Sequence, residues 1–350
     1  MRHAMLASLT LLAVVPALWG LDDAKDKPKP DTAQTPSQQF DTLRQAYSKL
    51  FDEYQKALQD AKTPAERRER AQENSKNPQY AKYLREMVEL AEKNPTDLVA
   101  VQALTWTVGH PLQAGALADQ AYGLLIAQAD KQVSMACTHA GQSPSAAAEK
   151  FLRAVLDKNA DAKLRSLAAM NLAQNLLTRA ERGMRANPEE QKKMGQEALE
   201  LVKQSIDDHA DRPILRAMAA NLGRSRLAAA PELLRLISEK AQNKDVKGQA
   251  LYSLAENLRG QSERSSDPAL SEKLGKEAEA LYERVVKDFG DVQLFRRPLA
   301  DTAAAALREL RLLGIGKVAP DIAAEDTDGK QFKLTDYRGK VVLLDFWGNW

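Results

Sequence analysis

The residue whose type and surroundings best suit it to catalysis lies near the C-terminal end of the chain, in VVLLDFWGNW (341–350). Asp345 is an ionisable side chain inside an apolar run, and burial disfavours the charged form of a carboxyl. A carboxyl in that setting can act as a proton acceptor. It can equally do no more than accept a hydrogen bond at the end of a strand, and the pattern leaves both interpretations open. Asp345 is therefore a candidate catalytic residue.

The other reactive side chains predict structural roles. Cys137 is the single cysteine, so the chain has no intramolecular disulfide and no Cys-x-x-Cys pair. His139 lies two residues away, but two ligands do not make a metal site, and a lone cysteine usually packs as a small hydrophobe. Trp106 and His110 fall where a helix should end, at Gly109, which indicates packing and capping. We therefore predict no metal and no cofactor.

The elements that must position Asp345 are strands. After residue 313 glycines become frequent, and helical periodicity gives way to strand-type patterns. Asp328-Gly329 is a tight-turn dipeptide between two short strand-like stretches, which predicts a hairpin. VVLLDFW then has the length and continuous apolarity of a strand covered on both faces. We expect this strand to lie at the centre of a sheet.

This segment resembles the opening of a thioredoxin-fold domain of the TlpA/ResA kind, within the AhpC/TSA and redoxin group. The matching residues are Ala319-Pro320-Asp321, Asp328-Gly329-Lys330, Leu334, Tyr337-Arg338-Gly339-Lys340 and Val341 to Trp350. They occur in the family's order and spacing, over about the last 37 residues of the chain. The resemblance implies an incomplete thioredoxin-like domain over residues 314–350.

The resemblance also implies a function. In that family Phe-Trp-x-x-Trp, here Phe346 to Trp350, is followed at once by Cys-x-x-Cys at a helix N-terminus. Asp345 occupies the position of a buried aspartate that would accept a proton from the second cysteine. Trp347 and Trp350 would pack around the dithiol. The complete protein is then expected to be a thiol–disulfide oxidoreductase acting on protein thiols and disulfides, whereas the chain as given stops before the dithiol and should be inactive.

Residues 40–313 predict an α-helical repeat domain. Apolar residues recur at spacings of three and four from Phe40 onward. Thr63, followed by Pro64 and Glu66, reads as a capped helix start. NLAQNL (171–176) resembles SLAENL (253–258), and GQEALEL (195–201) resembles GKEAEAL (275–281). The fold class expected is thus mainly α, an α-solenoid similar to tetratricopeptide repeats or else an irregular helical bundle, followed by the start of the α/β domain.

The N-terminal residues predict export. Residues 1–20 have a positive start and a short apolar run, typical of a signal peptide and short for a membrane span. Residues 21–39 are rich in proline and charge and predict a disordered linker. We therefore expect an exported protein, periplasmic or extracytoplasmic, that meets the membrane only through its signal segment.

Composition limits the partners. The 50 Lys and Arg residues balance 48 Asp and Glu residues and the two signs are interspersed, so nothing favours nucleic acid. The helical domain would position the enzyme or bind a protein partner. Two other functions stay open, a helical interaction module with a degenerate redox domain and a peroxiredoxin-type peroxidase. The residues after Trp350 would separate all three.

Overall fold

Helices form most of the chain that the structure describes. The structure is a computed structural model, and it describes residues 34–182, 187–209, 213–294, 297–313 and 317–345. The mainly α fold class predicted from the sequence is confirmed. The α-helices in these residues are α1 (Pro36–Asp60), α2 (Pro64–Ser75), α3 (Pro78–Lys93), α4 (Leu98–Val108), α5 (Pro111–Ala114), α6 (Ala116–Leu125), α7 (Ser134–Gln142), α8 (Ala146–Lys158), α9 (Ala162–Arg182), α10 (Pro188–Ser205), α11 (Pro213–Leu222), α12 (Ala230–Lys240), α13 (Lys244–Arg264), α14 (Pro268–Asp288) and α15 (Leu299–Leu312).

Two short antiparallel strand pairs complete the described structure. β1 (Gln293–Leu294) pairs with β2 (Arg297–Pro298) between α14 and α15. β3 (Ala323–Glu325) pairs with β4 (Gln331–Lys333) after the last helix. The change from helix to strand therefore falls where the sequence pattern changes.

Helix α1 begins earlier than the sequence predicts. The predicted linker ran to residue 39, but α1 starts at Pro36, so residues 36–39 are helical. Proline at the start of a helix has its φ angle already near the helical value and needs no hydrogen bond for its missing N–H. The remainder of the predicted linker that precedes residue 34, and the predicted signal peptide, lie outside the described residues.

Polar side chains fix several helix starts. Thr63 accepts a hydrogen bond from the Glu66 N–H at 3.1 Å and caps α2, as predicted. The Glu66 carboxylate accepts from the Lys62 N–H at 2.7 Å, one residue earlier than the standard capping box. Asp97 caps α4 and Asn243 caps α13. The short polar turns between apolar helices thus satisfy N–H groups that the helices cannot bond themselves.

The apolar side chains of α3 to α15 form one continuous core. It extends from Met87 in α3 to Ala306 in α15. A second, smaller cluster joins Tyr47 of α1 to Tyr80 and Leu84 of α3. The rings of Tyr47 and Tyr80 meet edge to face, with centroids 4.9 Å apart. Helix α1 is therefore held by an aromatic contact of its own.

Buried asparagines show that the sequence repeat has a structural counterpart. The Asn175 amide donates to the carbonyls of Ala140 (3.2 Å) and Ser143 (2.6 Å), at the end of α7. The Asn257 amide donates to the carbonyls of Leu222 (2.8 Å) and Ser225 (2.9 Å), at the end of α11. Donors and acceptors are all shifted by 82 positions, since 257 − 175, 222 − 140 and 225 − 143 are each 82.

The same repeat governs helix packing. Helix α9 packs against α7, α8 and α10, and α13 packs against α11, α12 and α14. An ion pair from Arg153 in α8 to Glu197 in α10 (2.7 Å) recurs as Arg235 in α12 to Glu277 in α14 (2.6 Å). These side chains are about two-fifths exposed, so each pair adds little stability. The repeat is real, whereas the tetratricopeptide-like interpretation of it stays a prediction.

None of the helices that the structure describes is long and apolar enough to span a membrane.

Candidate functional site

The hairpin at the C-terminal end is built around Asp326 and Gly329. The Asp326 carboxylate accepts hydrogen bonds from the N–H groups of Asp328 (3.0 Å) and Lys330 (2.9 Å). The Asp326 N–H donates to the Lys330 carbonyl at 3.0 Å, which closes the loop between β3 and β4. Gly329 has φ of +80°, a region that side chains disfavour. The hairpin predicted at Asp328-Gly329 is therefore confirmed.

Asp321 joins the start of the hairpin to its end. Its carboxylate accepts from the Thr335 N–H at 3.0 Å and from the Thr335 hydroxyl at 3.1 Å. Beside it the Leu334 N–H donates to the Ile322 carbonyl at 2.9 Å. Asp321 is the third residue of the Ala-Pro-Asp motif, so this motif closes the hairpin at its open end.

The connector Tyr337-Arg338-Gly339-Lys340 forms a second turn. The Lys340 N–H donates to the Tyr337 carbonyl at 3.1 Å, and Gly339 has φ of +81°. The Tyr337 ring lies edge to face with Phe332, with centroids 6.4 Å apart, and the Lys340 ammonium lies 5.8 Å from the Tyr337 ring centre. This turn directs the chain toward the apolar segment that follows.

The apolar segment 341–345 is uncovered in this chain. Its composition predicts a central strand of a complete sheet, and residues 314–350 alone were expected to leave that strand uncovered. The described residues form no strand there, and Val341 and Leu343 are 103% and 91% exposed. A strand needs a hydrogen-bonded neighbour, and the described sheets hold only the pairs β1–β2 and β3–β4. Without a neighbouring strand this segment has neither a ladder nor a covered face.

Of the three predicted site residues the structure describes only Asp345. Asp345 is exposed at the end of the segment 341–345, and not buried as expected, for the same reason. Trp347 and Trp350 lie outside the described residues. Their roles around a dithiol stay predictions.

Cys137 is a core residue, as predicted. Its side chain is fully buried in α7. Burial raises the pKa of the Cys137 thiol to about 12. A thiol reacts as its thiolate, so Cys137 is inert near neutral pH. Among the described residues no group of three or more His, Cys, Asp or Glu side chains could hold a metal ion.

Sequence reasoning missed the structural aspartates of this segment. It treated Asp321 as part of a motif and did not consider Asp326, although both hold turns through two hydrogen bonds. The available signal was their position, because aspartate before a turn commonly bonds the backbone two residues on. The bond from Asp321 spans 14 residues and has no local signature.

Comparison with known proteins supports the redox resemblance over this segment. Residues 315–350 match the model of the AhpC/TSA family. The thiol-disulfide oxidoreductase ResA of Geobacillus thermodenitrificans is 48% identical over 42 residues, which are 12% of this chain and 24% of the relative. The ResA of Bacillus subtilis is 51% identical over 35 residues, which are 10% of this chain and 20% of the relative. The chain thus spans about a quarter of the curated relatives that it matches.

One solved structure aligns with most of the chain, including the helical region. A chain from a study titled "Computational Design of Self-Assembling Cyclic Protein Homooligomers" covers 79% of this chain at 15% identity, with a TM-score of 0.19. That score is too low to relate the two folds.

Proposed function

We propose that the complete protein is a thiol–disulfide oxidoreductase whose redox dithiol directly follows Trp350. One observation carries this proposal: residues 315–350 match the AhpC/TSA model, and ResA proteins share about half of the residues there. Asp321, Gly329 and Gly339 have roles in the turns that few other residues can fill. The Asp321 carboxylate accepts a hydrogen bond from the Thr335 N–H, and the two glycines adopt positive φ angles that side chains disfavour.

The chemistry follows from the proposed dithiol. The first cysteine, at a helix N-terminus, has its thiolate stabilised by the helix dipole. The thiolate attacks one sulfur of a substrate disulfide, which forms a mixed disulfide and releases the other substrate sulfur as a thiolate. The second cysteine then attacks the mixed disulfide. The substrate leaves with two thiols, and the enzyme dithiol becomes a disulfide.

Asp345 would assist the second step. The second cysteine must lose its proton before it attacks, and a carboxylate on the adjacent strand end can accept that proton. In the described structure Asp345 is exposed. We propose that pairing of residues 341–345 with further strands of a complete sheet buries Asp345 and brings Trp347 and Trp350 around the dithiol.

The N-terminal segment would direct export of the enzyme, and the helical domain would position its redox domain or bind a partner. The short apolar run in residues 1–20 supports an exported, extracytoplasmic enzyme. The helical domain, with its repeated packing of α7–α10 and α11–α14, would bind a protein partner or hold the redox domain in place.

Reduction of insulin by dithiothreitol tests the function. A version extended through the complete domain should accelerate the reaction, and replacement of its first cysteine by serine should abolish the acceleration. The 350-residue chain should match the buffer control. An extended version without activity, or one that instead consumes hydrogen peroxide through a single cysteine, would contradict the proposal.

A further inference from the structure

An apolar cleft opens on the helical region, far along the chain from the redox-like segment. It is lined by α1, by α4 with the two residues after it, and by the start of α7, and has a volume of about 500 Å³. Leu98 and Met135 are 60% and 59% exposed there, whereas Val101 and Val133 are buried. Large apolar side chains left exposed around a concavity are typical of a binding site, and this volume lies in the usual range for small ligands.

Aromatic side chains form one end of the cleft. The Trp106 and His110 rings lie 4.8 Å apart, and Tyr47 packs against both of them, 6.0 Å from Trp106 and 4.6 Å from His110. The His110 Nδ1 lies 2.8 Å from the Trp106 carbonyl oxygen. This packing fixes the ring positions, so the wall of the cleft is preformed.

Two hydrogen-bond donors of the cleft residues lack partners. The Trp106 Nε1 and the Arg44 Nε are buried and form no hydrogen bond within the described residues. A buried donor without an acceptor destabilises a protein, because it has lost its hydrogen bonds to water. Neither atom is exposed in this structure, so a ligand in the cleft would contact the Trp106 ring and the terminal nitrogens of Arg44.

The charge of the lining favours an anion. Arg44 is the only Lys, Arg, Asp or Glu among the described residues that line the cleft. Asp41, which does not line the cleft, holds one Arg44 nitrogen at 3.1 Å. A guanidinium has five donors, so after the buried Nε–H and the bond to Asp41 the remaining hydrogens of the two terminal nitrogens are left for a ligand.

We propose that this cleft binds a small organic carboxylate with an aromatic or aliphatic body. The body lies between Leu98, Met135 and the Trp106 ring, and the carboxylate lies beside Arg44. Arginine pairs with a carboxylate through two parallel hydrogen bonds, which favours an acid over a neutral ligand of the same shape. This proposal is independent of the redox function.

Titration calorimetry of the full chain with two matched probes tests it. At pH 7.5 and low salt, 3-phenylpropanoate should bind about tenfold or more tightly than its neutral amide, 3-phenylpropanamide, because a charge-assisted hydrogen bond is about twice as strong as a neutral one. Arg44→Gln should bring the affinity for the acid down to that for the amide. Asp41→Asn, which removes the competing carboxylate, should strengthen binding of the acid by a few fold.

Two further variants separate the parts of the site. Trp106→Phe keeps an apolar ring but reduces the surface that faces the ligand body, so it should weaken the acid and the amide by similar factors. Arg67→Gln, at an exposed position of α2 outside the cleft, is the matched control and should change neither affinity. Circular dichroism should show that each variant keeps its helices.

Three results would overturn the proposal. They are absence of saturable binding by either probe, equal affinities for acid and amide in the unmodified chain, and an affinity for the acid that Arg44→Gln and Asp41→Asn both leave unchanged.

Discussion

The Asp321 carboxylate accepts two hydrogen bonds from Thr335, one from its N–H at 3.0 Å and one from its hydroxyl at 3.1 Å. This pair holds together the two ends of a hairpin that has only three residue pairs. An isolated two-stranded hairpin is at best marginally stable in water. The stability of this segment therefore depends on a few polar contacts.

Replacement of Asp321 tests that dependence. In Asp321→Ala the amides of residues 322–334 should exchange with solvent roughly three- to tenfold faster, since a hydrogen bond typically contributes about 0.5–1.5 kcal/mol. Hydrogen exchange measured by mass spectrometry gives the rates. Asp328→Ala is the control, because no hydrogen bond of the described hairpin uses the Asp328 carboxylate. Equal rates in both variants would show that the Asp321 contact does not hold the hairpin.

The repeated asparagines predict two equal losses of stability. Asn175→Ala and Asn257→Ala each remove a buried amide that donates to carbonyls at or just after a helix end, three for Asn175 and two for Asn257. Each should lower the free energy of unfolding by about 1–3 kcal/mol, because buried hydrogen bonds between the amide and the helix end are lost. Urea unfolding followed by circular dichroism measures the change. The exposed Asn221→Ala should change it by less than about 0.5 kcal/mol, and a comparable loss there would refute the explanation.

Two glycines should respond to alanine in opposite directions. A Cβ at Gly141 in α7 would lie 2.4 Å from the Asn171 Oδ1, so Gly141→Ala should destabilise by about 1–3 kcal/mol. A Cβ at Gly123 in α6 would have no atom within 4 Å, so Gly123→Ala should stabilise by about 0.5–1 kcal/mol. Thermal unfolding measures the stability of both variants. Destabilisation of the same size in both would contradict the close approach of α7 and α9.

The Cys137 thiol should be unreactive in the folded chain. A pKa of about 12 instead of 9.0 leaves roughly a thousandfold less thiolate at pH 7.5, and burial restricts access further. Labelling with a disulfide reagent such as Ellman's reagent should be slow in buffer and fast in urea. Fast labelling of the folded chain would show that Cys137 is accessible, and it would then complicate any thiol assay.

The proposed role of Asp345 predicts a pH-dependent defect. In a version extended through the complete domain, Asp345→Asn should slow insulin reduction by about 100-fold or more, as expected for loss of a proton acceptor, and Asp345→Glu should recover part of the rate. The defect should shrink at alkaline pH, where the second cysteine ionises without help. Asp328→Asn, in the hairpin turn, is the control. A rate within twofold of the unmodified protein would favour the alternative that Asp345 only accepts a hydrogen bond.

Local features of the fold could be predicted from the sequence because local interactions decide them. Thr63 caps α2 by accepting a hydrogen bond from the N–H of Glu66, three residues further along the chain. Gly329 adopts the positive φ angle that its turn needs. The offset of 82 between Asn175 and Asn257 could also be predicted, because NLAQNL and SLAENL align these two asparagines, whereas their hydrogen-bond partners could not.

Features that depend on distant partners could not be predicted. Val341 to Leu344 has the composition of a buried strand, but burial needs neighbouring strands, and none pairs with it in the described chain. Trp106 and His110 were interpreted as packing and capping residues. Their rings pack 4.8 Å apart, and the His110 Nδ1 lies 2.8 Å from the Trp106 carbonyl oxygen at the end of α4. That they also line a cleft depends on the approach of α1 and α7, which no local pattern specifies.

Trapping of a mixed disulfide tests the central claim most directly. In a version extended through the complete domain, with the second cysteine of the dithiol replaced by serine, oxidised glutathione should form one stable adduct, at the first cysteine after Trp350. Peptide mass spectrometry locates the adduct, and Cys137 should remain unmodified. An adduct at Cys137 alone, or no adduct under conditions that modify a thioredoxin control, would contradict the proposal that this chain opens a redox-active domain.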